Sequence, residues 1–138
     1  MPLADELPGL AKISDSTGLV SPEWSKWFEK LAGFSELEQG WDSYDAPSPS
    51  GAVIAAAKGL LEFLRKAGRP PTRLTPSVVG GVAFAFQNGQ RAVFVEFRNT
   101  GNAHAAFTDN ASEPEVVKVR QDAAGYTELM ARVASHLQ

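Results

Sequence analysis

The feature that most constrains the fold of this chain is an alternation of bulky with small or polar residues on both sides of Asn88-Gly89. A period of two is typical of strands with one buried face, and Asn-Gly between two such strands predicts a tight hairpin turn. The bulky positions are Val82, Phe84, Phe86, Val93, Val95 and Phe97. The sequence therefore predicts a hairpin whose large side chains share one face, which other elements must cover.

Three further segments have the length and composition of strands. One spans about 74–79 and ends at Gly80-Gly81, one spans about 103–108 after the turn-forming residues 99–102, and one spans 116–119. Consecutive strands joined by short turns usually pair with their neighbours. We therefore predict an antiparallel β-meander of four to five strands, with 116–119 at its edge.

The chain before the meander predicts two helices. The first begins at Ser21, whose hydroxyl can cap free N–H groups, and ends at Gly40. The second opens at Ser48-Pro49 or at Ser50 and ends at Gly68. Each carries apolar residues at helical spacing, so each has one face to bury.

After the meander, Asp122 can cap a third helix. Its apolar stripe is Tyr126, Leu129, Met130, Val133 and Leu137. The predicted fold class is α+β, an antiparallel β-meander packed with two N-terminal helices and one C-terminal helix. We expect an extended N-terminal arm over residues 1–20 and a single domain over 21–138, because strands and helices do not alternate as in a doubly wound sheet.

Composition limits the kinds of partner and site. The chain has no cysteine, which excludes disulfides and sulfur-ligated metal sites, and its net charge of -3 makes nucleic acid an unfavourable partner. The first dozen residues lack the pattern of a signal peptide, and every apolar run is interrupted by charged, polar or glycine residues. We therefore expect no membrane segment, and a cytoplasmic or virion location.

The segment Gly40–Pro47 is the most distinctive loop, with two aromatic and two acidic residues. In the interpretation we favour, Trp41 and Tyr44 fill the gap between helices and sheet, while Asp42 accepts backbone N–H bonds. In the alternative, Asp42 and Asp45 form a metal or acid–base pair. Two carboxylates supply too few ligands for a cation cage, so we predict neither metal nor cofactor.

His104 and His136 are the only imidazoles. His136 suits the last turn of a helix, and His104 lies on a predicted strand without a nucleophile motif, which favours a structural, hydrogen-bonded histidine. A small hydrolase or ligand-binding enzyme using Asp42, Asp45 or His104 remains the alternative. We predict that the protein is not an enzyme.

The second face of the sheet is the predicted protein-binding surface. A two-residue turn at Asn88-Gly89 pairs Gln87 with Gln90 and leaves small apolar residues and an aromatic ring opposite the core face. The predicted interface residues are Ala83, Ala85, Ala92 and Phe94, joined by Phe107 if Thr100-Gly101 form the next turn. A solvated face is normally polar, so either a partner, a second copy, or the chain's own arm or third helix covers this one.

Residues 36–109 resemble a group of small bacterial and phage proteins marked by Gly-Trp-Asp-x-Tyr-x-Ala, a helix and a meander that begins with Gly-Gly. The matching residues are Gly40, Trp41, Asp42, Tyr44, Ala46, Gly80, Gly81 and Val82. The resemblance implies a fold and no particular activity. Ser43 and Asp45 stand where that group often has glycine, so we expect no left-handed backbone at those two positions.

Residues 14–31 are also similar to N-terminal segments of phage proteins encoded near tail genes. The two resemblances imply a phage or mobile element as the source. The expected function is a non-enzymatic protein-binding module, an inhibitor or adaptor that acts on a host protein. The alternative is a tail or neck component of a virion that docks through its N-terminal arm.

Overall fold

The computed structural model describes residues 21–138, and the predicted arm over 1–20 lies outside the described residues. The described residues form a five-stranded antiparallel sheet with strands in sequence order, two helices before it and one after it. The helices are α1 (Pro22–Gly33), α2 (Gly51–Ala67) and α3 (Ala123–His136). The strands are β1 (Arg73–Ser77), β2 (Gly81–Asn88), β3 (Arg91–Arg98), β4 (Ala103–Thr108) and β5 (Glu115–Lys118). The predicted α+β class and meander are confirmed.

All three helices begin after a predicted capping residue, and α2 also ends at the predicted glycine. Ser50 accepts a hydrogen bond from the N–H of Val53 at 3.1 Å, and Gly68 ends α2 with a φ of 69°. Asp122 caps α3 by accepting from the N–H of Gly125 at 2.7 Å.

Helix α1 ends seven residues before Gly40, so the predicted end is wrong. Gly33 is a poor helix former, and the 3-10 turn Phe34–Glu36 that follows places Phe34 in the core. The predicted start of α1 at Ser21 is confirmed, although within the described residues the Ser21 side chain makes no capping hydrogen bond.

The turn between β2 and β3 lies one residue later than predicted. Asn88 pairs with Arg91, and the two turn residues are Gly89, with a φ of 63°, and Gln90. Glycine at the first position of a two-residue turn meets the need for a positive φ there. The pairing differs from the predicted one by two residues, so every side chain keeps its predicted face.

The turn between β3 and β4 changes one predicted site residue. It contains three residues, Asn99 to Gly101, and Arg98 donates its N–H to the carbonyl of Asn102 at 2.9 Å. Phe107 consequently pairs with Val93 and lies on the core face, where it is 5% exposed. The prediction that Phe107 belongs to the second face is wrong, because a shift of one residue exchanges the two faces of a strand.

All three helices contribute to one core on one face of the sheet. Phe63 of α2 meets Tyr126 of α3 edge to face with ring centres 5.7 Å apart, and Phe84 meets Phe97 at 5.8 Å. The core includes Leu31, Val53, Ala57, Leu60, Leu61 and Leu64 of the helices before the sheet, Leu74, Val82, Phe84, Phe86, Val93, Val95, Phe97 and Phe107 of the strands, and Tyr126, Leu129, Met130 and Val133 of α3. The predicted core face is confirmed, and α3 lies on that face.

The side chain of Asn99, in the turn between β3 and β4, hydrogen-bonds to the connection between α1 and α2. Its Oδ1 accepts from the N–H of Ser50 at 2.9 Å, and its Nδ2 donates to the carbonyl of Ser48 at 2.9 Å. The N–H of Asn99 donates to the carbonyl of Gly80 at 3.0 Å. A Cβ on Gly80 would lie 2.8 Å from the Asn99 amide nitrogen, so glycine is required for this approach.

We predict that Asn99→Ala lowers the free energy of unfolding by about 1–3 kcal/mol, because two hydrogen bonds of roughly 0.5–1.5 kcal/mol each are lost. Asn99→Asp keeps the acceptor for Ser50 and loses the donor to Ser48, so its loss should be intermediate. Asn102→Ala, an exposed neighbour, is the control. Urea unfolding measures all three, and equal stability of Asn99→Ala and Asn102→Ala would contradict the assignment.

Candidate functional site

The loop motif is closed by its own backbone and by Asp42. The Asp42 Oδ1 accepts from the N–H groups of Tyr44 at 2.9 Å and Ala46 at 3.2 Å, which confirms its predicted role. The N–H of Gly40 donates to the carbonyl of Ala46 at 2.9 Å. These bonds hold the carboxylate inside its own turn.

The two aromatic residues of the loop have different surroundings. Trp41 is partly buried, and its indole N–H donates to the carbonyl of Pro47 at 3.0 Å. Tyr44 is 82% exposed, so the prediction that it fills the gap between helices and sheet is wrong. Ser43, which precedes it, has a φ of 71°, so the expectation of an ordinary backbone there is also wrong. The left-handed residue lies in a tight turn whose outer side carries Tyr44.

The residues of the enzyme alternative have separate surroundings. Asp42 is bonded within its loop, Asp45 is exposed beside it, and His104 lies on β4 between Glu96 and Lys118 in the register. Within residues 21–138, no group of three or more His, Asp or Glu side chains is placed to hold a metal ion. None of the described helices has the length and apolar character needed to cross a membrane.

His136, the other imidazole, stands at the end of α3 against the sheet. Its Nε2 lies 2.7 Å from the carbonyl oxygen of Thr108, and its ring meets Phe107 edge to face at 5.5 Å. These contacts attach the C-terminal turn of the helix to β4. They give His136 a structural role.

The outer face, defined here as the sheet face opposite the helices, carries an apolar row across the strands. The row takes one residue from each strand in direct register and is apolar apart from its first member: Arg73, Ala85, Phe94, Ala106 and Val116. Phe94 is 39% exposed, Val116 is 62% exposed, and Ala85 is 6% exposed. An aromatic ring thus stands at the centre of the sheet with an alanine on either side.

A polar row lies beside the apolar row on the outer face. It consists of Thr75, Ala83, Glu96, His104 and Lys118, again one residue from each strand. Glu96 accepts a hydrogen bond from the hydroxyl of Ser77 and forms an ion pair with Arg98 at 3.0 Å. The carboxylate is therefore neutralised on its own face. Ala92, the remaining predicted interface residue, is 6% exposed.

Several residues of the outer face were not predicted to lie there, among them Arg73, Ala106, Val116 and Lys118. Their alternation with core residues was visible in the sequence. Their position beside Phe94 depends on the register of β1, β4 and β5, and that register follows from turn lengths.

A second apolar surface lies in a groove of about 690 Å³ between α1 and α2. Its apolar lining includes Phe28, Leu31 and Ile54, and its charged residues are Glu29, Lys58, Glu62 and Arg65. Two acidic and two basic side chains give the groove no net charge. The groove thus offers apolar contact without a preference for the charge of an occupant.

We predict that Trp41→Ala lowers the free energy of unfolding by about 2–4 kcal/mol, less than a fully buried tryptophan, because the ring is partly buried. Trp41→Phe removes the indole donor and should cost about 1 kcal/mol. Tyr44→Ala, at the exposed position of the same loop, should leave the melting temperature unchanged. An unchanged melting temperature in Trp41→Ala would contradict the structural role of this ring.

We also predict that titration with zinc, magnesium or calcium gives no stoichiometric heat in calorimetry. The physical reason is that the Asp42 carboxylate is already hydrogen-bonded within its loop, and no group of three acidic or imidazole side chains among residues 21–138 is placed to hold a metal ion. A stoichiometric signal that Asp42→Asn abolishes would contradict this and support the enzyme alternative.

No family model matches the chain, and no curated protein or solved structure shows significant similarity to it.

Proposed function

We propose that the protein is a non-enzymatic protein-binding module and that the outer face of its sheet is the docking surface. The observation that carries the proposal is the position of Phe94, which is 39% exposed on the central strand of the sheet. Aromatic side chains near the centre of a surface are the residues that most often dominate the free energy of protein association.

The surroundings of Phe94 support a protein as the occupant. The outer face of an antiparallel sheet is normally polar when it faces water, whereas this row places Ala85, Phe94, Ala106 and Val116 side by side. Because alanine side chains are short, the neighbours of the ring on both sides would not keep apolar side chains of a partner away from it. A small molecule would bury little of its surface on such an open face, because ligand sites are usually concave.

The resemblance of the loop motif supports the wider setting of the proposal. We infer that the module belongs to a phage or mobile element and acts on a host protein as an inhibitor or adaptor. The loop itself supports the fold, since Asp42 bonds to the loop's own backbone and Asn99 bonds to the residues that follow the loop. The outer face takes no part in these bonds and is available to a partner.

We predict that Phe94→Asp abolishes partner binding without changing the fold. The charge would be placed in the middle of an apolar contact, where an unpaired carboxylate loses its hydration. Phe94→Thr, which suits a strand, should weaken binding to a lesser extent. Tyr44→Asp introduces the same charge at an exposed aromatic residue away from the sheet and is the matched control.

The measurement is quantitative mass spectrometry of proteins captured by each variant in cells of the native host, with circular dichroism as the test of folding. A set captured by the parent chain and by Tyr44→Asp, but not by Phe94→Asp, is the expected result. If a folded Phe94→Asp protein captures the same host proteins in equal amounts, the proposal is contradicted. If light scattering finds a dimer that Phe94→Asp converts to a monomer, the partner is a second copy.

A further inference from the structure

The charges of the outer face indicate which charge its partner carries. Resting on the proposed function of this face, we infer that the partner is an acidic protein segment that places an apolar side chain on Phe94 and carboxylates near Arg73 and Lys118. The outer face has three basic residues and one acidic residue, although the whole chain has a net charge of -3.

Two of the three cations have no ion-pair partner among the described residues. Arg98 is paired with Glu96 at 3.0 Å, and the same carboxylate also accepts from Ser77. Within residues 21–138, Arg73 and Lys118 form no ion pair. Both side chains are exposed.

The register fixes where these two cations stand. Arg73 lies on β1 in the row of Phe94, and Lys118 lies on β5 in the next row. Four strand spacings separate β1 from β5, a distance of roughly 19 Å. An extended segment of about six residues spans that distance, since a strand rises ~3.3 Å per residue. Such a segment, crossing the strands, has acidic residues near its ends and an apolar residue near its middle.

The same charges disfavour two other occupants. A second copy placed face to face would bring positive surfaces together, and like charges across an interface oppose association. A single-stranded nucleic acid usually meets several aromatic platforms and a continuous basic groove. This face instead offers one aromatic ring, an alanine on either side and two isolated cations.

The test is selection of random displayed peptides, long enough to span the sheet, on the full-length protein. Selected peptides are then measured against Phe94→Asp, the double variant Arg73→Glu/Lys118→Glu, and the control Lys26→Glu/Lys58→Glu, which makes the same change of charge on the helices. We expect the selected peptides to contain an aromatic or aliphatic residue flanked by Asp or Glu. Affinity should fall about tenfold or more in Phe94→Asp, which loses the apolar contact, and in Arg73→Glu/Lys118→Glu, where opposite-charge contacts become like-charge contacts. Affinity should stay unchanged in the control.

The outcomes separate the two proposals. If no selected peptide depends on Phe94, the docking surface itself is wrong. If peptides depend on Phe94 but are not acidic, or bind the Arg73→Glu/Lys118→Glu protein equally well, the face is a docking surface and the inferred charge of its partner is wrong. Binding of a labelled single-stranded RNA that is lost in both Phe94→Asp and Arg73→Glu/Lys118→Glu would also overturn the inference, in favour of a nucleic acid.

Discussion

The burial of the large side chains of β2 and β3 on one face of the sheet is the constraint on which the rest of the structure depends. Phe84, Val95 and Phe97 are each at most 1% exposed. Removing a side chain of this size from water contributes roughly 1.5–3 kcal/mol, so the three helices are held on that face. The outer face is left without a described helix as a direct consequence. The exposure of Phe94 therefore follows from the architecture of the whole domain.

The connection between the helices and the sheet gives the loop motif a structural meaning. Gly80 lets Asn99 approach, and Asn99 in turn holds the residues that lead into α2. Asp42 and the indole of Trp41 fix the preceding turn by bonds to its own backbone. The glycine pair and the aromatic loop, far apart in sequence, thus belong to one structural unit. That unit positions α2 over the sheet and leaves the outer face to other contacts.

The sequence predicted the structure well where a hydrophobic period or a helix-capping residue determines it. It predicted the structure less well where the length of a turn determines the register of a strand. The face of every residue in β2 and β3 was predicted because a two-residue error in register preserves the alternation. Phe107 was misplaced because one additional residue in the turn before β4 exchanges faces, and several turn lengths fit the residues 99–102. Tyr44 and Ser43 were misjudged because a loop has no period from which burial or backbone angle can be inferred. The partnership of Asn99 with Ser48 and Ser50 joins positions about fifty apart, which single-sequence patterns do not connect.

The central claim is that the outer face is a docking surface, which requires this face to be open in the free, full-length protein. The most direct measurement is the relaxation of side-chain proton signals by a soluble gadolinium chelate in nuclear magnetic resonance. We predict that the chelate strongly relaxes the proton signals of the Phe94 ring and the Val116 methyl groups, to an extent comparable to the Tyr44 ring. The Val95 methyl groups should be protected from relaxation. Protection of Phe94 and Val116 to the level of Val95 would contradict it, because another part of the chain or a second copy would then cover the face.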